Sequence, residues 1–248
     1  MYTHPFPRSS FAAAYGEKSG TGRSAYGAAS GDDVATFHKL LGANGAVLSA
    51  TGISDHAAFA SAVTSAFSGY AGAGPGTADK YTGGECRINA VSEQAHVAIA
   101  FHGGAVGDAI AALFSLTGGA PVAAFKSGGL VGVYGSGAAE TADAMCKTLS
   151  ANVSSALKAD ESLLKRAIAK AKADAVFNAS ASSRAAAEAS AWAAMNSGFV
   201  GEAATIAAYD KLTVADVKKG LEAAVAGGVS VASVGDLSRV GYAKEFKF

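Results

Sequence analysis

Charge of one sign is the first thing this 248-residue chain lacks: 20 Lys and Arg balance 20 Asp and Glu, and charged residues make up only 16%. That balance argues against a basic nucleic-acid-binding surface, an acidic tail or a long disordered polyelectrolyte. Cysteine is scarce too. Cys86 and Cys146 are too few for a disulfide framework and point to a reducing or indifferent compartment. No long apolar run is present either. The stretch between Asp55 and Asp79 is uncharged apart from His56, but Ser, Thr, Gly and Pro fill it. The stretch 109–125 is more apolar, yet falls short of the roughly 20 residues a spanning helix needs and is broken by Gly118-Gly119 and Pro121. The chain reads as soluble.

Small residues are abundant. The sequence holds 60 Ala and 31 Gly, over a third of the chain, and half of all residues are apolar. About 250 residues suffice for one large domain or two small ones, and Ala-rich helices favour close approach to their neighbours. Near the N-terminus, Arg8, Lys18 and Arg23 accompany a single acid, Glu17, among Ser and Ala. This suits a mitochondrial transit peptide or its remnant, and equally a flexible leader. Residues 1–30 carry little periodicity and are expected to form an extended arm.

Asp32 and Asp33 open a helical pattern through Val34, Phe37, Leu40 and Leu41. Residues 46–51 read as a strand, and Ser54 or Asp55 caps a helix with Phe59, Val63 and Phe67 at spacing four. Gly69 to Gly76 reads as a loop. Two strands, 87–91 and 96–102, are separated by a short polar turn, which predicts a hairpin. A helix from Asp108 stops at Gly118-Gly119, and 129–134 is a further strand. Helices follow at roughly 138–157, 160–178, 182–196, 202–210 and 213–226. Thr213 and Asp216 form a capping box in the last, with Val217, Leu221 and Val225 inward, and 229–234 is the final strand. The order predicts an α+β fold: a mixed, mostly antiparallel sheet with helices layered on one face.

Catalytic signatures are missing. Neither H-E-x-x-H nor H-x-x-E-H occurs, and His4, His38, His56, His96 and His102 are scattered. His96 and His102 share a strand face but stand about 20 Å apart at strand rise, and Glu93 has no second histidine beside it. Gly135-Ser-Gly137 would suit a dinucleotide loop, but Glu140 occupies the third glycine position and would repel a pyrophosphate. Gly72, Gly74 and Gly76 flank Pro75 and read as a linker. No G-x-S-x-G elbow or C-x-x-C pair occurs. Lys158, Lys165 and Lys172 lie at heptad spacing with Arg166 and Lys170, reading as a solvated helix face or a contact for an acidic partner or lipid headgroups. Trp192 reads as core. The sequons at Asn152 and Asn178 fall inside predicted helices and are expected to stay unused. No catalytic, cofactor-binding or metal-binding residue is assigned.

Resemblance carries the reading further. Lys80-Tyr-Thr-Gly-Gly-Glu-Cys-Arg87, followed by His96-Val-Ala-Ile-Ala-Phe101, resembles a Tyr-x-Gly-Gly-Glu-x-Arg stretch and strand in the second half of the core proteins of mitochondrial respiratory complex III. Leu48-Ser-Ala-Thr-Gly-Ile-Ser-Asp-His56 is similar to the family's strand ending in Gly-x-x-His. Ser127-Gly-Gly-Leu-Val-Gly-Val-Tyr134 resembles its Ser-x-Gly-Leu-Phe-Gly-x-Tyr strand. The segments Asp210-Lys-Leu-Thr-Val-Ala-Asp-Val217 and Val231-Ala-Ser-Val-Gly-Asp-Leu237 are similar to its last helix, strand and loop. These segments are collinear over about residues 35–240.

The resemblance implies a pitrilysin-type metallopeptidase fold, with a linker and arm at 1–44, the metallopeptidase-like domain at 45–240 and a tail at 241–248. Only the second of the family's two halves is visible, and Ala12-Ala-Ala-Tyr15 resembles the linker between them. The zinc motif belongs to the first half, and the glycine-rich substrate loop of the processing peptidase's alpha subunit is missing between Gly118 and Gly129. The resemblance therefore implies a non-catalytic structural subunit without cofactors, on the matrix face of the mitochondrial inner membrane. Its partners would be other complex III subunits, especially another core protein and a chain supplying the first half. It would be peripheral to the membrane, with no nucleic acid bound. A non-catalytic half of a mitochondrial processing peptidase and a nucleotide or small-ligand module remain as alternatives.

Overall fold

A computed structural model describes residues 5–17, 30–40, 47–69, 80–180, 187 and 202–248. Among the described residues five strands form one sheet: β1 (Gly84–Asn89), β2 (Gln94–His102), β3 (Val122–Ser127), β4 (Leu130–Ala138) and β5 (Ser230–Gly235), in the order β1-β5-β2-β4-β3. Only β1 and β5 run parallel; the other pairings are antiparallel. The α+β class with a mixed, mostly antiparallel sheet stands.

The expected hairpin between the first two strands is corrected. β5 lies between β1 and β2, with Cys86 opposite Ala232 on one side and Ala98 opposite Ala232 on the other. Four connecting residues, 90–93, reach about 13 Å, enough to cross the roughly 10 Å of two strand spacings. The connection is tied to the inserted strand where the Ala90 amide donates to the Gly235 carbonyl at 3.0 Å and the Asp236 amide donates to that of Gln94 at 3.2 Å. A true hairpin joins β3, which periodicity missed, to β4. Its two-residue turn, Gly128-Gly129, has φ of 53° and 82°, the conformation a tight hairpin turn demands.

Strand alternation assigns the two faces. Val97, Ile99 and Phe101 of β2, Val131 and Val133 of β4 and Val231 of β5 share one face, and all are fully buried. Helices α4 (Gly107–Thr117) and α5 (Ala142–Leu157) pack there. Phe114 meets Phe101 with ring centroids 6.3 Å apart, and Leu149 and Met145 approach Gly135. The terminal Phe248 packs edge-on against Phe101 at 5.6 Å, so the last residue joins this core.

The other face carries α1 (Pro5–Tyr15), which corrects the expectation of an extended arm over residues 1–30. Residues Ser9 to Ala14 are all buried, against a floor that includes Ala100, Leu130 and Cys86. Periodicity missed the helix because its buried face is almost entirely Ser and Ala, which carry little hydropathy contrast. Close approach does the packing instead: a side chain at Gly84 would meet the Ala13 carbonyl at 3.1 Å. Pro5 opens the helix, and Gly16, at φ 90°, ends it by donating its amide to the Ala12 carbonyl at 2.9 Å.

Helix α6 (Glu161–Ser180) follows α5, with Leu164, Ala167 and Ala171 buried. Helices α2 (Gly31–Leu40) and α3 (His56–Phe67) come before the sheet; α7 (Glu202–Lys211) and α8 (Val214–Ala226) lie between α6 and β5. Asp55 caps α3 by accepting from the Ala58 amide at 2.9 Å, and the Thr213–Asp216 capping box starts α8, both as expected. On α8, Val217 and Leu221 point inward, while Ala224 rather than Val225 completes the buried stripe. The expected strand at 46–51 does not form over its described part, 47–51: Val47 and Leu48 stand exposed and no strand pairs with them. The helix expected at 182–196, apart from residue 187, lies outside the described residues, as does most of the 69–76 loop.

The chain forms two compact units. One comprises residues 1–24, 79–171 and 211–248 and contains the sheet; the other comprises 25–78 and 172–210.

Candidate functional site

The strongest sequence motif falls on Tyr81 to Arg87, a segment bonded to several parts of the sheet unit. Thr82 donates to the Ala14 carbonyl through its amide at 2.9 Å and its hydroxyl at 3.2 Å, and the Gly83 amide adds a third donor at 3.2 Å. Ala14 sits in the last turn of α1, where a helix leaves carbonyls unsatisfied and its dipole is negative. The motif thus caps the helix that covers the sheet. Gly83 has φ 68°, and a side chain there would press within 3.0 Å of the Val229 carbonyl, so glycine is required. The Gly84 amide then donates to that carbonyl at 3.0 Å and starts the parallel β1–β5 ladder.

Tyr81 is the hub. Its hydroxyl donates to the Gly228 carbonyl at 2.9 Å and accepts from the Ser230 hydroxyl at 3.0 Å. Its ring meets Tyr15 edge-on at 6.0 Å and lies tilted against His102 at 5.7 Å. Burial pushes the phenol pKa up, against the opposing pull of the Ser230 hydrogen bond.

Arg87 closes the other end. One guanidinium nitrogen donates to the Gly241 carbonyl at 2.9 Å and to Glu85 at 3.2 Å; the other donates to Val240 at 3.0 Å and Leu237 at 3.3 Å. The guanidinium also lies 4.4 Å from the centroid of the Tyr242 ring. The planar fork matches three carbonyls of one loop, a task a point-charge lysine cannot duplicate. Leu237, Val240 and Phe246 are buried around it. The motif therefore ties α1, the head of β5 and the C-terminal loop to one strand. Apart from the Arg87–Glu85 pair, its donors serve the chain's own backbone.

Among known protein families none matches the chain, and no curated protein sequence matches it. Its fold matches a chain in a solved structure of complex III2 from Candida albicans with Inz-5 bound, at TM-score 0.62 and 17% identity over 77% of this chain. The likeness is one of fold. This chain spans about half of that chain's length, 55%.

The remaining sequence-predicted residues disperse. His96 Nδ1 lies 2.6 Å from the Tyr134 hydroxyl on the α1 face of the sheet, His38 and His56 sit on α2 and α3, and His4 lies outside the described residues. Among the described residues no three His, Cys, Asp or Glu are grouped to hold a metal. Gly135 and Gly137 belong to β4, not to a strand-to-helix turn, which corrects their expected context. A side chain at Gly135 would meet Met145 at 3.1 Å, so this glycine admits α5 against the sheet. Cys86 and Cys146 are both buried, and burial raises both thiol pKa values, making them poor nucleophiles at neutral pH.

The three lysines expected on one helix are also corrected: Lys158 ends α5, while Lys165 and Lys172 lie on α6. Lys165 pairs with Glu161 at 2.6 Å and Lys172 with Asp210 at 2.5 Å, so both find acids within the chain. Asn152 is buried and donates to the Phe114 carbonyl at 3.1 Å, capping α4 from α5. A glycan has no room there. The Asn178 side chain, Trp192 and the Gly72–Gly76 cluster fall outside the described residues. Sequence reasoning missed Tyr81 as a hub and Asn152 as a cap, because both act on carbonyls distant in the chain.

Proposed function

We propose that this chain is a non-catalytic structural subunit of the respiratory-chain complex III, similar to the second half of core protein 2. In this reading it belongs to the pitrilysin-type superfamily and sits on the matrix face of the inner membrane. The fold likeness to a chain of a complex III2 structure carries the reading. It is supported by the collinear sequence segments and by a motif whose polar groups are spent on holding elements together. No helix among the described residues is long and apolar enough to cross a membrane, which suits a subunit attached through its neighbours. Those neighbours would be another core protein and a chain supplying the first half.

Native purification through a tag on cytochrome c1 tests this. The expected result is that this chain co-purifies stoichiometrically with cytochromes b and c1. Its absence from that assembly would overturn the reading. Presequence cleavage by the assembly that disappears when this chain is removed would overturn its non-catalytic part.

A further inference from the structure

Helix α1 is covered on every side. All six residues 9–14 are buried, and six residues run past one full turn of about 3.6, so no face of this stretch is left to solvent. An arm lying on the surface keeps one face wet. Ser9 and Ser10 are as enclosed as Phe11.

The helix is also fixed at separate points of the sheet. Ala12 and Ala13 pack against Cys86 of the edge strand β1, and Thr82 and Gly83 donate to the Ala14 carbonyl just before that strand. Phe11 and Ala14 pack with Ala100 and Leu130. The Phe11 ring fills the space over Gly128, where a side chain would meet it at 2.6 Å, and the Tyr15 hydroxyl donates to the Gly128 carbonyl at 3.2 Å. One short helix thus bridges β1 and the β3–β4 turn, which belong to opposite ends of the strand order. The bases around it do not form the face of a basic amphipathic leader. Arg8 is the one base within α1, and Lys18 and Arg23 follow its end at Gly16.

We infer that α1 is retained in the mature protein, so that any proteolytic removal of an N-terminal leader ends before Pro5. A protease needs an exposed stretch of chain that it can extend, and residues 9–14 offer none once folded. A cut made before folding would take Phe11 and Ala14 from the cluster with Ala100 and Leu130, and the acceptor from the Thr82 and Gly83 amides. The basic N-terminal stretch is in this sense part of the fold rather than an address. The inference does not depend on the complex III reading.

The test labels the α-amino groups of the protein purified from its native source and reads its N-terminal and tryptic peptides by mass spectrometry. The expected N-terminus lies at or before Pro5, with tryptic peptide 9–18 equimolar to peptide 127–147, which carries β4. A labelled N-terminus between residues 6 and 79, or peptide 9–18 below equimolar amount, overturns the inference. A second measurement inserts a protease site after Gly20 of the full chain and cuts it after folding. The fragment bearing α1 is expected to stay with the remainder through gel filtration and to separate only in denaturant. Its loss in native buffer overturns the inference, because a helix that leaves freely is not built into the sheet unit. Retention of α1 in a protein outside complex III upholds the inference while counting against the proposed function.

Discussion

Replacing Arg87 by Ala removes the donor that holds the C-terminal loop against β1. Three carbonyls lose a charged partner, at 2.9, 3.0 and 3.3 Å, and the Tyr242 ring loses its cation. Hydrogen bonds to charged groups contribute roughly 1.5–3 kcal/mol each, but they are not additive, and carbonyls of a loop recover part of that from water. The Glu85 ion pair, about a fifth exposed on each side, adds at most about 1 kcal/mol. A net loss of about 3 kcal/mol follows, which for a chain of this size lowers Tm by roughly 6–12 °C. Arg87→Lys keeps the charge but not the fork, and is expected to recover less than half of the loss. Thermal unfolding followed by circular dichroism measures the total, and hydrogen exchange over residues 237–246 measures the local release. An Arg87→Ala protein with Tm within 2 °C of the parent and unchanged exchange in that loop would refute the reasoning.

Tyr81→Phe removes the donor to Gly228 and leaves the Ser230 hydroxyl without its acceptor; urea unfolding is expected to show a loss of about 1–3 kcal/mol. Both thiols, held protonated by burial, are expected to react slowly with maleimide at neutral pH and rapidly in denaturant, which mass spectrometry follows over time. The Thr213 hydrogen bonds hold the Asp216 carboxyl below its ordinary pKa. A depressed folded-state pKa means that this carboxylate's stabilisation is present above the unfolded-state pKa and is lost as pH falls through the folded value. Asp216→Asn is therefore expected to shrink the Tm difference between pH 5 and pH 3, as read by differential scanning calorimetry; an unchanged difference would contradict the capping role.

Large apolar side chains at regular spacing made much of the fold legible. The α8 stripe through Val217 and Leu221, the β2 alternation through Val97, Ile99 and Phe101, and the Asp55 and Thr213 caps all read correctly because each is a local pattern. Helix α1 failed that reading because its buried residues, Phe11 apart, are Ser and Ala and give little hydropathy contrast. Strand β3 failed because Val122-Ala-Ala-Phe-Lys-Ser127 is an edge segment whose exposure does not alternate cleanly. The Tyr81–Arg87 segment could be recognised as a motif, but its roles depend on carbonyls of residues 14, 228 and 237–241.

Composition and local spacing were thus enough to establish an α+β chain, neutral overall, with its main strands and capped helices. Tertiary structure alone decided which strands are neighbours, since β5 enters between β1 and β2 from more than 120 residues away. It also decided what the uncharged total means, because folding sorts equal numbers of acids and bases into an acidic unit with exposed apolar side chains and a basic unit around the sheet. Local sequence carries the preference of a segment for helix or strand. Partner choice and charge segregation depend on residues far apart in the chain, and only packing brings those together.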